Sequence, residues 1–439
     1  MTSPPEAPDA VAPPLDPVTG SAFGRSVVRT AIFNAGATLA AGLAGILIAR
    51  SLGPSVRGDY AAICVWLIVA YTVGDLGMSA ATTYFVARDP VRGRDYLATS
   101  RVLTTVAGAA VVLTGFAAAP LLARSEPHLV TGYRITAITC AVILAGFSCN
   151  AALQATNIHR WNVVRVAQPA LYLVAVSGLH LAGRLDLITA LVALLATSTA
   201  QTTLAYGYCR VQRLIPGRAG AGLTAPIARY GAGQVANSVP DLAVNRMDQL
   251  VLSFTVAPSA LGHYAVASSL TNLAVPLVAA VGHVAFPRLA SADQSAAGAV
   301  SLSRRAIGAS AALSVALMAV LAATAWWLVP TVFGADFRDA VTLVWLLAPA
   351  AVFMPCSKVC ADLLRGHGRP LTVAYVQSAA TAVLAVLLAV LVPAFAERGA
   401  ALAVSVTAAV SFVLMRSALG RLPGRVAAHR RGSRTRGEA

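Results

Sequence analysis

Apolar residues in this chain come in runs of about 20 or more, long enough to cross a hydrocarbon core of about 30 Å as a helix. Charged residues, prolines and glycines punctuate the runs. Reading between those breaks predicts twelve spans, at 27–49, 60–86, 98–122, 129–156, 163–182, 187–209, 231–256, 260–285, 304–330, 340–363, 371–393 and 399–416. The expected fold class is all-α: a polytopic membrane protein.

Within several spans polar residues recur every third or fourth position, which puts them on one helix face. The seventh span carries Gln234, Asn237, Asp241, Asn245 and Asp248, with Pro240 inside it and expected to kink it. The second carries Tyr71, Asp75, Ser79 and Thr82, and the first Thr30, Asn34 and Thr38 with Arg29 at its end. Lys358, Asp362 and Arg365 form a ladder near the end of the tenth, and the fifth offers Asn162, Arg165, Gln168 and Tyr172. Polar groups are costly against lipid, so such stripes face protein or a water-filled cavity. Two readings follow. One is a hydrated cavity with cationic points for an anionic substrate. The other is interhelical ion pairing among Asp75, Arg246, Asp248 and Lys358 that fixes packing.

Arg246 stands apart, in the stretch NRMDQLVLS (245–253). By the helical period it points about 140° away from Asp241. Its partner must come from a neighbouring helix or from a substrate, unless it snorkels outward.

Composition supports the membrane assignment. The chain is 57% hydrophobic and 11% charged, where soluble proteins carry about 25% charged residues. Mean hydropathy is +0.72. The net charge of +16 is almost all arginine, and Lys358 is the sole lysine. Such a charge would suggest nucleic acid in a soluble protein. Here the arginines lie in short loops, where they set topology and meet anionic headgroups. With both termini cytoplasmic, 25 of the 33 basic residues fall on the cytoplasmic side and seven on the other. Arg246 alone fits neither.

The chain also repeats itself. LGPSVRGDYAA (52–62) matches VAPSALGHYAV (256–266), and HRWNVVRVAQPA (159–170) resembles GRPLTVAYVQSA (368–379). The offsets are 204 and 209, so a five-residue insertion separates them. Two parallel six-helix lobes follow, 23–215 and 231–416, related by a pseudo-twofold axis along the membrane normal. A cytoplasmic linker at 216–230 joins them. Residues 1–22, rich in Pro and Ala, read as a disordered cytoplasmic tail rather than a signal peptide. Residues 417–439 read as a basic cytoplasmic tail beside anionic lipid.

Enzyme chemistry finds no support. There is no P-loop, no GxGxxG after a strand, and no HExxH or GxSxG. The six cysteines form no CxxC pair, and the histidines lack metal-ligand spacing. No metal or cofactor is expected, though proton or sodium coupling is open.

ARSLGPSVRGDYA, DLGMSAATTYFVAR, NRMDQLVLSFTVAPSALGHYAVASSLTNL, FPRLA, VFGADFRDA and LLRGHGRP, in that order, complete the pattern. Over roughly 25–416 the chain resembles the Wzx-type polysaccharide flippases of the multidrug/oligosaccharidyl-lipid/polysaccharide exporter superfamily. The resemblance implies a plasma-membrane transporter that flips a polyprenyl-diphosphate-linked oligosaccharide to the outer leaflet by alternating access. It implies an anionic lipid-linked oligosaccharide as ligand. Implied partners are membrane lipids and the polymerase and glycosyltransferases of the same pathway. Positions that fit a cationic cavity are Arg29, Asn34, Asp75, Asp241, Asn245, Arg246, Asp248 and Lys358. Two alternatives stay open: a cation-coupled drug exporter, whose first helix usually carries an acid where this one has Asn34, and a non-transporting scaffold of a cell-wall synthesis complex.

Overall fold

A computed structural model describes residues 20–123, 126–273, 278, 296–366 and 369–421. Most of both predicted tails, the end of the eighth predicted span and the FPRLA motif lie outside these residues. All regular structure among the described residues is helical. In chain order the helices are α1 (Gly20–Gly74), α2 (Met78–Arg88), α3 (Gly93–Leu122), α4 (Pro127–Thr156), α5 (Ile158–Leu181) and α6 (Leu187–Val211). Then come α7 (Ala221–Thr255), α8 (Pro258–Asn272), α9 (Ala296–Phe333), a 3-10 turn at Ala335–Phe337, α10 (Ala340–Gly366) and α11 (Pro370–Gly420).

Two helices are too long for one crossing. At 55 residues α1 would rise roughly 80 Å, more than twice the hydrocarbon thickness. It breaks at Gly53, whose φ of 75° glycine tolerates without strain. The 51-residue α11 breaks at Ala396, three residues after Pro393. Each makes two crossings, as the gaps between the predicted spans required. With α3 to α10 this gives twelve crossings, six per lobe. Among the described residues eight helices are each apolar and long enough to span by themselves. α7 is not among them, because its polar stripe dilutes its hydropathy. Leu113 and Val390, at 73% and 63% exposed, have only lipid to face.

Several helices start earlier than expected, and two differences bear on how the lobes meet. The second predicted span does not run unbroken to residue 86: Leu76 and Gly77 take positive φ, and α2 restarts at Met78. Asp75 explains the break. Its carboxylate accepts from the Ser79 backbone N–H at 3.1 Å and from the Ser79 hydroxyl at 2.6 Å. An aspartate that bonds nearby backbone offers the chain an alternative to the helical ladder. The other difference is α7, which starts at Ala221 rather than 231 and so absorbs most of the expected linker. Leu223 and Ile227, one turn apart, bury against Met78 and Ala81, a contact that short-range pattern does not announce.

The two repeated PSxxG segments meet each other. A Cβ added to Gly58 would overlap the Pro258 carbonyl oxygen, and one added to Gly262 would overlap the Pro54 carbonyl oxygen. Such reciprocity is the mark of a twofold relation. It places the pseudo-axis at this crossing of α1 and α8. A second close approach joins the lobes further along: a Cβ on Gly77 would overlap the Gly231 carbonyl oxygen, and Tyr84 stacks on Tyr230 at 4.7 Å.

Gly58→Ala forces the α1–α8 crossing apart. Overpacking of this kind costs about 1–3 kcal/mol, so the purified variant is expected to unfold at lower temperature than the parent. Ser55→Ala, an exposed position one turn away, leaves the midpoint unchanged. Equal midpoints for Gly58→Ala and the parent would refute the crossing.

Candidate functional site

Between the two glycine contacts lies a cavity of about 530 Å³. α7 supplies Ser238, Asp241, Asn245, Arg246 and Asp248, α10 supplies Lys358, and α1 contributes Thr72. α8 adds Tyr264, Ser268, Thr271 and Asn272. Five of the eight predicted site residues therefore share one space: Asp241, Asn245, Arg246, Asp248 and Lys358.

Arg246 belongs to this cavity despite its direction. The lining includes Leu242, Val244 and Arg246 as well as the stripe. On an ideal helix those positions cover an arc of roughly 200°. α7 is bare over more than half its circumference here, so a residue 140° off the stripe still reaches the space. The described Asp241, Asn245 and Asp248 hold their stripe; the side chain of Asn237 lies outside the described residues.

The carboxylates are held by neutral groups. Asp241 accepts from the Gln377 amide at 2.9 Å, and the Thr381 hydroxyl donates to the adjacent Pro240 carbonyl at 3.3 Å. Asn245 donates to the Asp241 carbonyl at 2.6 Å. Asp248 is 6% exposed. Its Oδ2 accepts from the Tyr264 hydroxyl at 2.5 Å, while Oδ1 is buried without a partner.

Arg246 and Lys358, by contrast, make no ion pair among the described residues. Among the described residues the one ion pair joins Arg365 to Asp362 at 3.0 Å, near the end of α10. That is the outer rung of the predicted ladder. Neither Arg246 nor Lys358 has a carboxylate within ion-pair distance, so the expected alternative of interhelical ion pairing finds no support. The lining carries two cations and two carboxylates, and the carboxylates take their hydrogen bonds from neutral side chains. What remains free to bind is a guanidinium and an ammonium.

The other three predicted residues stand elsewhere. Asp75 is absent from the lining and caps the start of α2. Arg29 is exposed near the start of α1, and Asn34 accepts from the Thr38 hydroxyl through its main-chain carbonyl. In the same helix Thr30 accepts from the buried Asn162 amide at 2.9 Å. Tyr264, Ser268, Thr271 and Gln377 are site residues that the predicted stripes omit. The first three are spaced 4 and 3, so the rule that found the α7 stripe also applies to α8.

The match to known proteins follows this architecture. A family model described as "Polysaccharide biosynthesis protein" matches residues 47–342. No curated protein sequence matches the chain. Among solved structures, the lipid II flippase MurJ in an inward closed conformation superposes with a TM-score of 0.77 at 12% identity, covering 90% of this chain and 88% of that one. An inward-facing multidrug resistance MATE transporter of the MOP superfamily gives 0.71 at 17% identity, covering 88% and 94%. A MOP transporter from Pyrococcus furiosus, whose binding pocket is described as of reverse polarity, gives 0.54 at 16%, covering 90% and 96%. These likenesses are in fold, and those relatives are transporters and a flippase rather than enzymes. With two thirds of its length matched by the family model, on a twelve-helix two-lobe frame, the chain belongs to the polysaccharide biosynthesis protein family.

Proposed function

We propose that the protein flips a polyprenyl-diphosphate-linked oligosaccharide from the cytoplasmic to the outer leaflet of the plasma membrane, by alternating access between its lobes. The reading rests on Arg246: a guanidinium inside a membrane cavity with no carboxylate within ion-pair distance among the described residues. A diphosphate is its chemical complement, because guanidinium donates bidentate hydrogen bonds to phosphate oxygens. Lys358 supplies a second positive charge. Asn245, Ser268 and Asn272 offer hydrogen bonds of the kind sugar hydroxyls use. The prenyl chain stays in the bilayer. Arg29 and Asn34 belong to the approach along α1, and Asp75 to the helix break beside it. The drive is a proton or sodium gradient, or consumption of product on the far side.

Arg246→Ala is expected to lose most surface polysaccharide and to leave the lipid-linked precursor facing the cytoplasm. A charge-assisted bidentate contact is worth about 1.5–3 kcal/mol, so precursor binding by the purified variant falls roughly 10- to 100-fold. Arg246→Lys tests geometry against charge: intermediate binding indicates that the fork matters. Normal export in a strain that makes Arg246→Ala at parental levels overturns the substrate role. Comparing drug sensitivity with surface glycan in a deletion strain separates flippase from drug exporter. Hypersensitivity with unchanged glycan favours the exporter.

The arginine distribution predicts that reporters fused to either terminus are cytoplasmic. Alkaline phosphatase at the C-terminus should be inactive and a fluorescent protein there bright. The reverse result inverts the transport direction argued above.

A further inference from the structure

A second cleft, of about 300 Å³, lies on the side of α8 away from the central cavity. Both lobes build it. Gly42, Gly45 and Ile48 of α1 face Val266 and Leu270 of α8, with Pro169 of α5 beside them. The walls are mostly apolar, and Arg57 is the one charged residue in the lining. Its Nε is buried with no hydrogen-bond partner. Among the described residues no carboxylate lies within ion-pair distance of it. The Tyr60 ring lies 5.5 Å from the guanidinium carbon, which covers one face of the group and leaves its edge open. An unmet N–H on a half-buried cation is costly, so a group from outside the chain is its natural partner.

The orientation narrows what that group is. Arg57 follows the Gly53 break by one turn, at the membrane face opposite the termini. The apolar wall runs from there toward the midplane, along 42–48 of α1 and 266–273 of α8, over roughly 10 Å. Charge sits at the membrane face and hydrocarbon contact below it. A membrane lipid lying along the bilayer normal has that shape.

We infer that this cleft holds an anionic glycerophospholipid of the outer leaflet, with its phosphodiester on Arg57 and an acyl chain between α1 and α8. Charge complementarity favours this occupant over the transported species. One guanidinium matches the single charge of a phosphodiester, whereas a diphosphate finds two cations only in the central cavity. Because the walls belong to different lobes, the lipid occupies the seam and favours the state in which α1 and α8 are packed. The leaflet rests on the proposed cytoplasmic termini, while the bound lipid itself stands whether or not the flippase reading holds, since it is not the cargo.

The test uses purified, delipidated full-length protein in neutral detergent, titrated with phosphatidylglycerol or with phosphatidylcholine of the same chains. Phosphatidylglycerol is expected to raise the unfolding midpoint by about 2–4 °C more than phosphatidylcholine does, the size expected for a saturating ligand. Arg57→Gln should erase that difference and Arg57→Lys should restore part of it. Gly45→Leu fills the cleft from a position where an added Cβ meets nothing within 4 Å, and it should erase the difference with Arg57 intact. Equal responses to the two lipids, or a preference that survives both Arg57→Gln and Gly45→Leu, would sink the proposal. Displacement of phosphatidylglycerol by a tenfold lower concentration of undecaprenyl phosphate would give the cleft to the carrier lipid instead and overturn the phospholipid assignment.

Discussion

The crossing of α1 and α8 at Gly58 and Gly262 sets the geometry of everything around it. Between helices in a bilayer the hydrophobic effect offers little, because lipid tails are as apolar as leucine. What holds lobes together there is close packing, and closeness requires small residues. At this crossing each glycine lies against the carbonyl of the other segment's proline. That contact fixes where α8 runs. One face of α8 then closes the polar cavity through Tyr264 and Ser268, and another walls the apolar cleft through Val266 and Leu270. A single helix separates a hydrated space from a lipid-like one because its polar residues follow the helical period and its seam is held at one end.

The twelve crossings were legible because membrane thickness leaves few choices. A run of about 20 apolar residues between arginines has one reading, and the alternation of arginine checks the count. The PSxxG repeat was legible as symmetry, though not as contact: sequence showed that the two segments correspond, and only the fold shows that they touch. The break at Asp75–Gly77 was missed because its causes compete with a strong apolar period. One is a side chain folding back onto Ser79; the other is a glycine required by Gly231 on another helix. Arg246 was placed off the stripe correctly, but the width of the opening beside α7 depends on how far α10 and α11 stand away. No spacing rule within α7 contains that distance. The pairings of Asp248 with Tyr264 and Asp241 with Gln377 join residues from different helices, so they too needed the fold.

The cavity's polar groups divide in a way that bears on its chemistry. Carboxylates that stay buried in a membrane protein need donors. Asp241 and Asp248 have Gln377 and Tyr264, which are neutral. Had Arg246 or Lys358 served instead, the four charges would have cancelled in pairs and the cavity would be a structural core. Neutral donors leave the cations unspent. The arrangement gives each acid one neutral donor, leaves Asp248 Oδ1 unpaired, and places both cations in the lining with no carboxylate at ion-pair distance among the described residues.

A rocking of one lobe on the other must break contacts at one end while keeping them at the other. At the end near Gly53, the Arg50 guanidinium donates to the Thr331 carbonyl at 2.8 Å, tying α1 to the last turn of α9. A cation at a helix C-terminus also meets the negative end of its dipole. At the opposite end Tyr84 stacks on Tyr230, an interaction worth about 0.5–1.5 kcal/mol beyond burial. Among the described residues neither closure uses an ion pair, and each has an apolar patch: Ala49 and Ala61 cluster with Leu252 and Leu261 at one end, and Met78 and Ala81 with Leu223 and Ile227 at the other. To that patch each adds a glycine contact and a few modest polar or aromatic interactions. Contacts of that size are small enough for ligand binding to shift the balance between two arrangements of the lobes. An interface of small residues, short apolar patches and hydrogen bonds can part without leaving a buried charge unpaired.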